Sequence, residues 1–152
     1  MKRQGFLLVF LLLVMLLPMG ALAGPELVQR FTDEQLVNIL KADGYYAVSI
    51  LDPGELLIKI DGHPHLLYVE DDGDLRAYYG ISGVKVSYQD INTWNRTKRL
   101  SRAFLDEEND PVLESDLLAN GGLTPKHVTE FLRVFVDSAN AFHDFVLKHE
   151  ES

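Results

Sequence analysis

His63 and His65 flank Pro64, with Asp61 two positions before them. Two imidazoles at i and i+2 can share a metal ion, and Asp61 supplies a third, oxygen ligand. Structural metal sites want four ligands, and no other histidine is close in sequence, so an exposed turn is the competing reading. The acidic runs Glu70 to Asp74 and Asp106 to Asp110 lack the ligand periodicity of an EF-hand loop. Both read as solvated turns, with weak calcium binding a minor option at the second. Gly80-Ile81-Ser82-Gly83 resembles a nucleophile elbow without the spacing of G-x-S-x-G, and reads as a strand break. G-x-G-x-x-G, P-loop and H-E-x-x-H patterns are all lacking. The chain has 0 cysteines, so it has no thiol nucleophile, thiolate metal site or disulfide. No catalytic residue and no cofactor are expected, and the chain reads as a non-enzyme. Asn95-Arg96-Thr97 matches a glycosylation acceptor only weakly, because it falls on an expected helix.

The elements that must position these residues belong to one domain, since the chain has 152 residues. Its composition is 47% hydrophobic and 24% charged, which is globular. The formal net charge of −9 is not the electrostatic footprint of a nucleic-acid binder.

The first residues carry an address. Lys2 and Arg3 form a basic n-region, Phe6 to Leu17 is an unbroken apolar run, and Pro18 and Gly20 break it. Ala21-Leu22-Ala23 then offers small residues where a signal peptidase reads. Residues 1–23 are therefore expected to be a cleaved secretory signal and 24–152 a single domain, periplasmic or secreted. An anchor formed by an uncleaved signal is the alternative. Nothing after Ala23 is long and apolar enough to span a membrane.

Thr32-Asp33-Glu34-Gln35 is a capping box, so a first helix should run from about Asp33 to Asp43, ending before Gly44. Four strand signals follow: Tyr46 to Leu51, Glu55 to Asp61, His65 to Glu70 and Leu75 to Ile81. Between them lie the turns Asp52-Pro53-Gly54, Gly62-His63-Pro64 and Asp71 to Asp74. Short turns imply an antiparallel meander. Ser87 caps a short helix through Ile91 and Trp94 to about Lys98. Leu100 to Leu105 and Val112 to Leu118 make a second hairpin, and Thr124-Pro125 opens a last helix to about Lys148. The order α-ββββ-α-ββ-α indicates an α+β domain with an antiparallel sheet and three helices.

On the last helix, Val128, Phe131, Leu132, Phe135, Ala139, Phe142 and Val146 share one stripe that packs on the sheet. Val134, Ala141 and Phe145 form a second stripe, about 120° away. Either the first helix covers it, or a second subunit or a client protein does. His127, His143 and His149 lie along this helix as surface or boundary residues. Trp94, the only tryptophan, reads as a buried anchor, with a binding platform as the alternative. Val134, Ala141, Phe145 and Trp94 are thus the candidate partner-binding residues, and His63, His65 and Asp61 the candidate metal ligands.

Ile91-Asn92-Thr93-Trp94-Asn95, Leu100 to Asp106, Pro111 to Leu117, Gly121-Gly122-Leu123-Thr124 and a Phe-rich terminal helix together resemble the YbjN family. The match is best from about Ser87 to Phe145 and extends more weakly over Phe31 to Ile81. The resemblance implies a fold like that of type III secretion chaperones, an antiparallel sheet backed by helices and often dimeric. It also carries the family label of a sensory-transduction regulator, and it supplies no catalytic residues. Many members lack an export signal, whereas this chain is expected to carry one. The expectation is an exported, non-enzymatic binding module of the bacterial envelope, acting as adaptor, chaperone or regulator on a protein partner or as a homodimer. The alternative is a small-molecule or metal sensor built on His63 and His65.

Overall fold

A computed structural model describes residues 26–150. The expected export signal, with Ala21 and Ala23, lies outside the described residues. Helix α1 spans Asp33–Ala42. Its capping box is formed: Thr32 Oγ1 accepts from the Gln35 amide at 3.2 Å and Gln35 Oε1 accepts from the Thr32 amide at 2.9 Å. Strands β1 (Val48–Asp52), β2 (Glu55–Ile60), β3 (His63–Val69) and β4 (Leu75–Gly80) form the meander. Helix α2 (Tyr88–Thr97) then leads into β5 (Arg102–Leu105), β6 (Pro111–Leu117) and helix α3 (Pro125–Lys148).

One turn falls earlier than its sequence suggests. The β2–β3 hairpin closes on Asp61 and Gly62, at φ 49° and 86°. That is the two-residue Asp-Gly turn whose left-handed residues suit the strand twist. His63 and Pro64 are therefore strand residues, opposite Ile60 and Lys59. Pro64 is tolerated because the β3–β4 ladder begins only at Leu66, so no β4 carbonyl needs a donor there.

The sheet is antiparallel throughout, in the order β1-β2-β3-β4-β6-β5. The second hairpin returns so that β6 lies beside β4 and β5 becomes an edge. All three helices pack on one face, and their buried residues join those of that sheet face in a single cluster. Trp94 and Phe142 meet edge-to-face at 5.0 Å in its interior. The cluster is also closed by the chain before α1. Val28 bridges Leu123, and a Cβ on Gly73 would lie 2.2 Å from the Gln29 carbonyl oxygen, so the strap passes where only glycine fits.

The two sheet edges differ. Along β5, the Asn95 side chain donates to the Ala103 carbonyl at 2.9 Å and accepts from its amide at 2.8 Å, as a neighbouring strand would. Along β1, Ser49–Asp52 are exposed and no other described strand pairs outside them. No helix among the described residues is long and apolar enough to cross a membrane.

Candidate functional site

Period-two alternation sends every second strand residue to the face that no helix covers. The ladder registers align Ser49, Leu57, Leu66, Tyr78, Glu114 and Arg102 in one row across all six strands. A second row runs Glu55, Tyr68, Arg76, Asp116. Val112 and Phe104 pair on the same face. Leu57, Leu66, Tyr68, Tyr78 and Phe104 are half-buried, and the loop residues Ser82, Asp106 and Asp110 flank Leu66 and Tyr78 at one end.

An ionic node fastens the β4-β6-β5 end of this face. The Glu114 carboxylate accepts from Arg76 Nη1 at 2.8 Å and from Arg102 Nη2 and Nε at 2.7 and 3.1 Å. Arg76 also reaches Glu70 at 2.8 Å and lies 4.4 Å from the Tyr68 ring centroid. Burial works against the Arg76 charge, but the bonds to Glu70 and Glu114 outweigh it and hold the guanidinium above its ordinary value. Burial, and then the carboxylate of Glu55, raise the Tyr68 hydroxyl; burial, then Asp106 and Glu114, raise that of Tyr78. The surface is an apolar and aromatic strip crossed by fixed charge, suited to contacting a polypeptide.

A groove of about 340 Å³ adjoins this sheet where α3 passes the end of β6. Leu100, Leu117, Phe131 and Val134 supply its apolar wall. Leu100 is 68% exposed and held at φ 67°, a conformation costly for a branched side chain. Ser115 Oγ donates to its carbonyl at 2.6 Å and fixes it there.

The candidate partner-binding residues separate. Val134 lines the groove and Ala141 is exposed. Phe145 instead packs 5.4 Å from the Trp94 ring and 4.2 Å from His149. Trp94 is 1% exposed, so it is a core anchor and not a binding platform. Helix α2 covers the C-terminal end of the second stripe. Helix α1 instead lies beside the start of α3, where Asn38, Ile39 and Ala42 line a cleft with Pro125, Lys126 and Thr129.

The candidate metal ligands do not assemble as a set. Asp61 sits in the hairpin turn, and among the described residues no three His, Asp or Glu side chains gather to hold an ion. His65 is 2% exposed, with Nδ1 3.2 Å from the His63 carbonyl oxygen and its ring stacked on Tyr79 at 4.8 Å. Burial lowers its pKa, so it sits neutral in the core. In the Asp106 to Asp110 turn, Lys85 Nζ donates to Asp110 Oδ1 at 2.9 Å and to the Glu108 carbonyl at 2.8 Å, so a lysine ammonium is the cation paired with this turn. Ser82 lies in the turn after β4, as a strand break should. The residues that sequence reading missed are Arg76, Glu114 and Arg102, whose partnership depends on β6 returning beside β4.

A family model described as "Putative bacterial sensory transduction regulator" matches residues 32–148. Among solved structures, the chain is similar to YbjN, described as a putative transcription regulator from E. coli, at 18% identity and TM-score 0.58, covering 81% of this chain and 93% of that one. It is also similar to the type III secretion chaperone SycH of Yersinia pestis, solved in complex with a stable fragment of YscM2, at 21% identity and TM-score 0.51, covering 70% and 95%. No curated protein matches the chain. At these identities the two structures establish the fold, which is that of the type III secretion chaperones. The residues that carry the sequence resemblance are largely structural: Trp94 anchors the core, Asn95 covers the β5 edge, and Thr124 caps α3 with its side chain accepting from the His127 amide. With the family pattern running from the cap of α1 to the end of α3, the chain belongs to the YbjN family.

Proposed function

We propose that this protein is an exported, non-enzymatic binding module of the bacterial envelope, an adaptor or regulator that holds a partner protein on its open sheet face and in the adjoining groove. The carrying observation is the row Leu57, Leu66, Tyr78 with its Glu114 node, continuous over the sheet and left without a helix. An antiparallel sheet can leave one face to water, but this face carries an apolar row with fixed charges beside it, the make-up that a partner-binding surface needs to bury area and set orientation. The chaperone-like fold supports the reading, since SycH was solved with a polypeptide fragment of another protein. The basic, apolar and small-residue order of residues 1–23 supports export.

The test is cross-linking and mass spectrometry on the tagged protein in its native envelope. A stoichiometric foreign protein, linked near Val134 or along β3 and β4, supports the reading and names the partner. Links only between copies of this chain, or recovery of the unprocessed chain from the cytoplasm, overturn it.

A further inference from the structure

We propose that His63 and His143 form a two-imidazole chelate for a divalent transition-metal ion of the zinc, nickel and copper class, clipping α3 to the start of β3. This inference stands apart from the partner-binding reading. The two residues are 80 positions apart in the chain, yet their ring centroids lie 4.9 Å apart with planes tilted by 56°. A metal about 2.1 Å from an imidazole nitrogen sits about 3.2 Å from that ring's centroid. Two rings sharing one ion at an angle of about 90–110° therefore have centroids about 4.5–5.2 Å apart. The observed spacing falls inside that interval.

The surroundings are those of a ligand pair. His63 is exposed at the first position of β3, where an ion can reach it. His143 is half-buried and oriented from behind, its Nδ1 lying 2.8 Å from the Tyr79 hydroxyl. Metal-binding histidines almost always donate their second ring N–H to an oxygen, and the Tyr79 oxygen is placed to accept it. With Tyr79 donating to Nδ1, the proton of neutral His143 resides on Nε2. Binding through Nε2 moves that proton to Nδ1, and the Tyr79 oxygen becomes the acceptor, so no proton is lost overall. Tyr79 is 4% exposed and stacked against His65, which keeps the hydroxyl in place. His65 is a backing residue and not a ligand. Water completes the coordination, and imidazole donors place copper, nickel and zinc far ahead of magnesium and calcium.

The experiment uses protein purified without a histidine tag and stripped with a chelator. Millimolar zinc or nickel should raise Tm by about 5 °C, with magnesium inert. His63→Gln and His143→Gln should each abolish the shift, and Tyr79→Phe should weaken binding about tenfold. His127→Gln and His149→Gln should leave it intact. Should a variant fold poorly, paramagnetic nickel added to the unaltered protein should broaden the ring signals of His63 and His143 first among the five histidines. No shift with any of these metals, a shift that survives both ligand variants, or broadening of a different pair overturns the proposal.

Discussion

Replacing Glu114 by alanine removes the carboxylate that Arg76 and Arg102 share. Arg102 has a side chain 64% exposed, so water takes over its bonds and the loss there is about 0.5 kcal/mol. Arg76 is 29% exposed and its partner only 5%, so that charge-assisted bond is worth about 1.5 kcal/mol. The sum, about 2 kcal/mol, falls below the roughly 3–5 kcal/mol for breaking a fully buried pair, because Arg102 reaches solvent and Arg76 keeps Glu70. Urea unfolding followed by tryptophan fluorescence suits the measurement, since Trp94 is the only tryptophan and is 1% exposed. With m near 2 kcal/mol/M the midpoint should fall by about 1 M at unchanged slope. A double-mutant cycle with Arg76→Met should return a coupling of about 1.5 kcal/mol, and one with Arg102→Met about 0.5 kcal/mol. A midpoint drop under about 0.2 M would refute the reasoning. So would a larger coupling to Arg102 than to Arg76.

Phe145→Asp puts a carboxylate between Trp94 and His149 and should cost about 3 kcal/mol with a red-shifted tryptophan emission, whereas Val134→Asp should cost under about 1 kcal/mol and still reduce partner cross-links. A Phe145→Asp protein of native stability would mean that α2 does not cover the stripe. Asn95→Ala strands the buried Ala103 amide and carbonyl, and should cost about 2 kcal/mol and induce concentration-dependent association by light scattering; an unchanged midpoint with no association counts against the edge-covering role. The Asp110 carboxyl is held below the ordinary carboxylate range, first by its hydrogen bond from Lys85. Its contribution to stability is therefore complete above that range and lost as pH falls through the lowered pKa. Lys85→Met should move the Asp110 carboxyl titration, read by NMR, back upward, and an unmoved titration removes Lys85 as the cause.

Local chemistry made most of the fold legible. Thr32, Ser87 and Thr124 each cap a helix as their sequence contexts indicate, and the alternation of Leu56 and Ile58 marks the core face of β2. Pro64 misled, because proline suggests a turn, while the left-handed requirement of the hairpin was already met by Asp61 and Gly62. The cover of the second stripe was illegible for a different reason. Helical periodicity says which residues share a face but not which helix arrives there, and α2 reached Phe145 where α1 was the intramolecular expectation. Site residues separated by long stretches left no trace in spacing. Arg76 and Glu114 meet only through the return of β6, and His63 meets His143 only through the crossing of α3 over the sheet.

The unequal edges limit how copies of this chain can join. In polymer terms each folded copy is monofunctional: β1 offers unpaired backbone beside Ile50 and Leu51, and Asn95 occupies the corresponding groups of Ala103 on β5. Strand-to-strand joining through β1 consumes the reactive end of both participants and stops at two. A chain reaction needs a monomer with two live ends, and a single carboxamide at position 95 withholds the second.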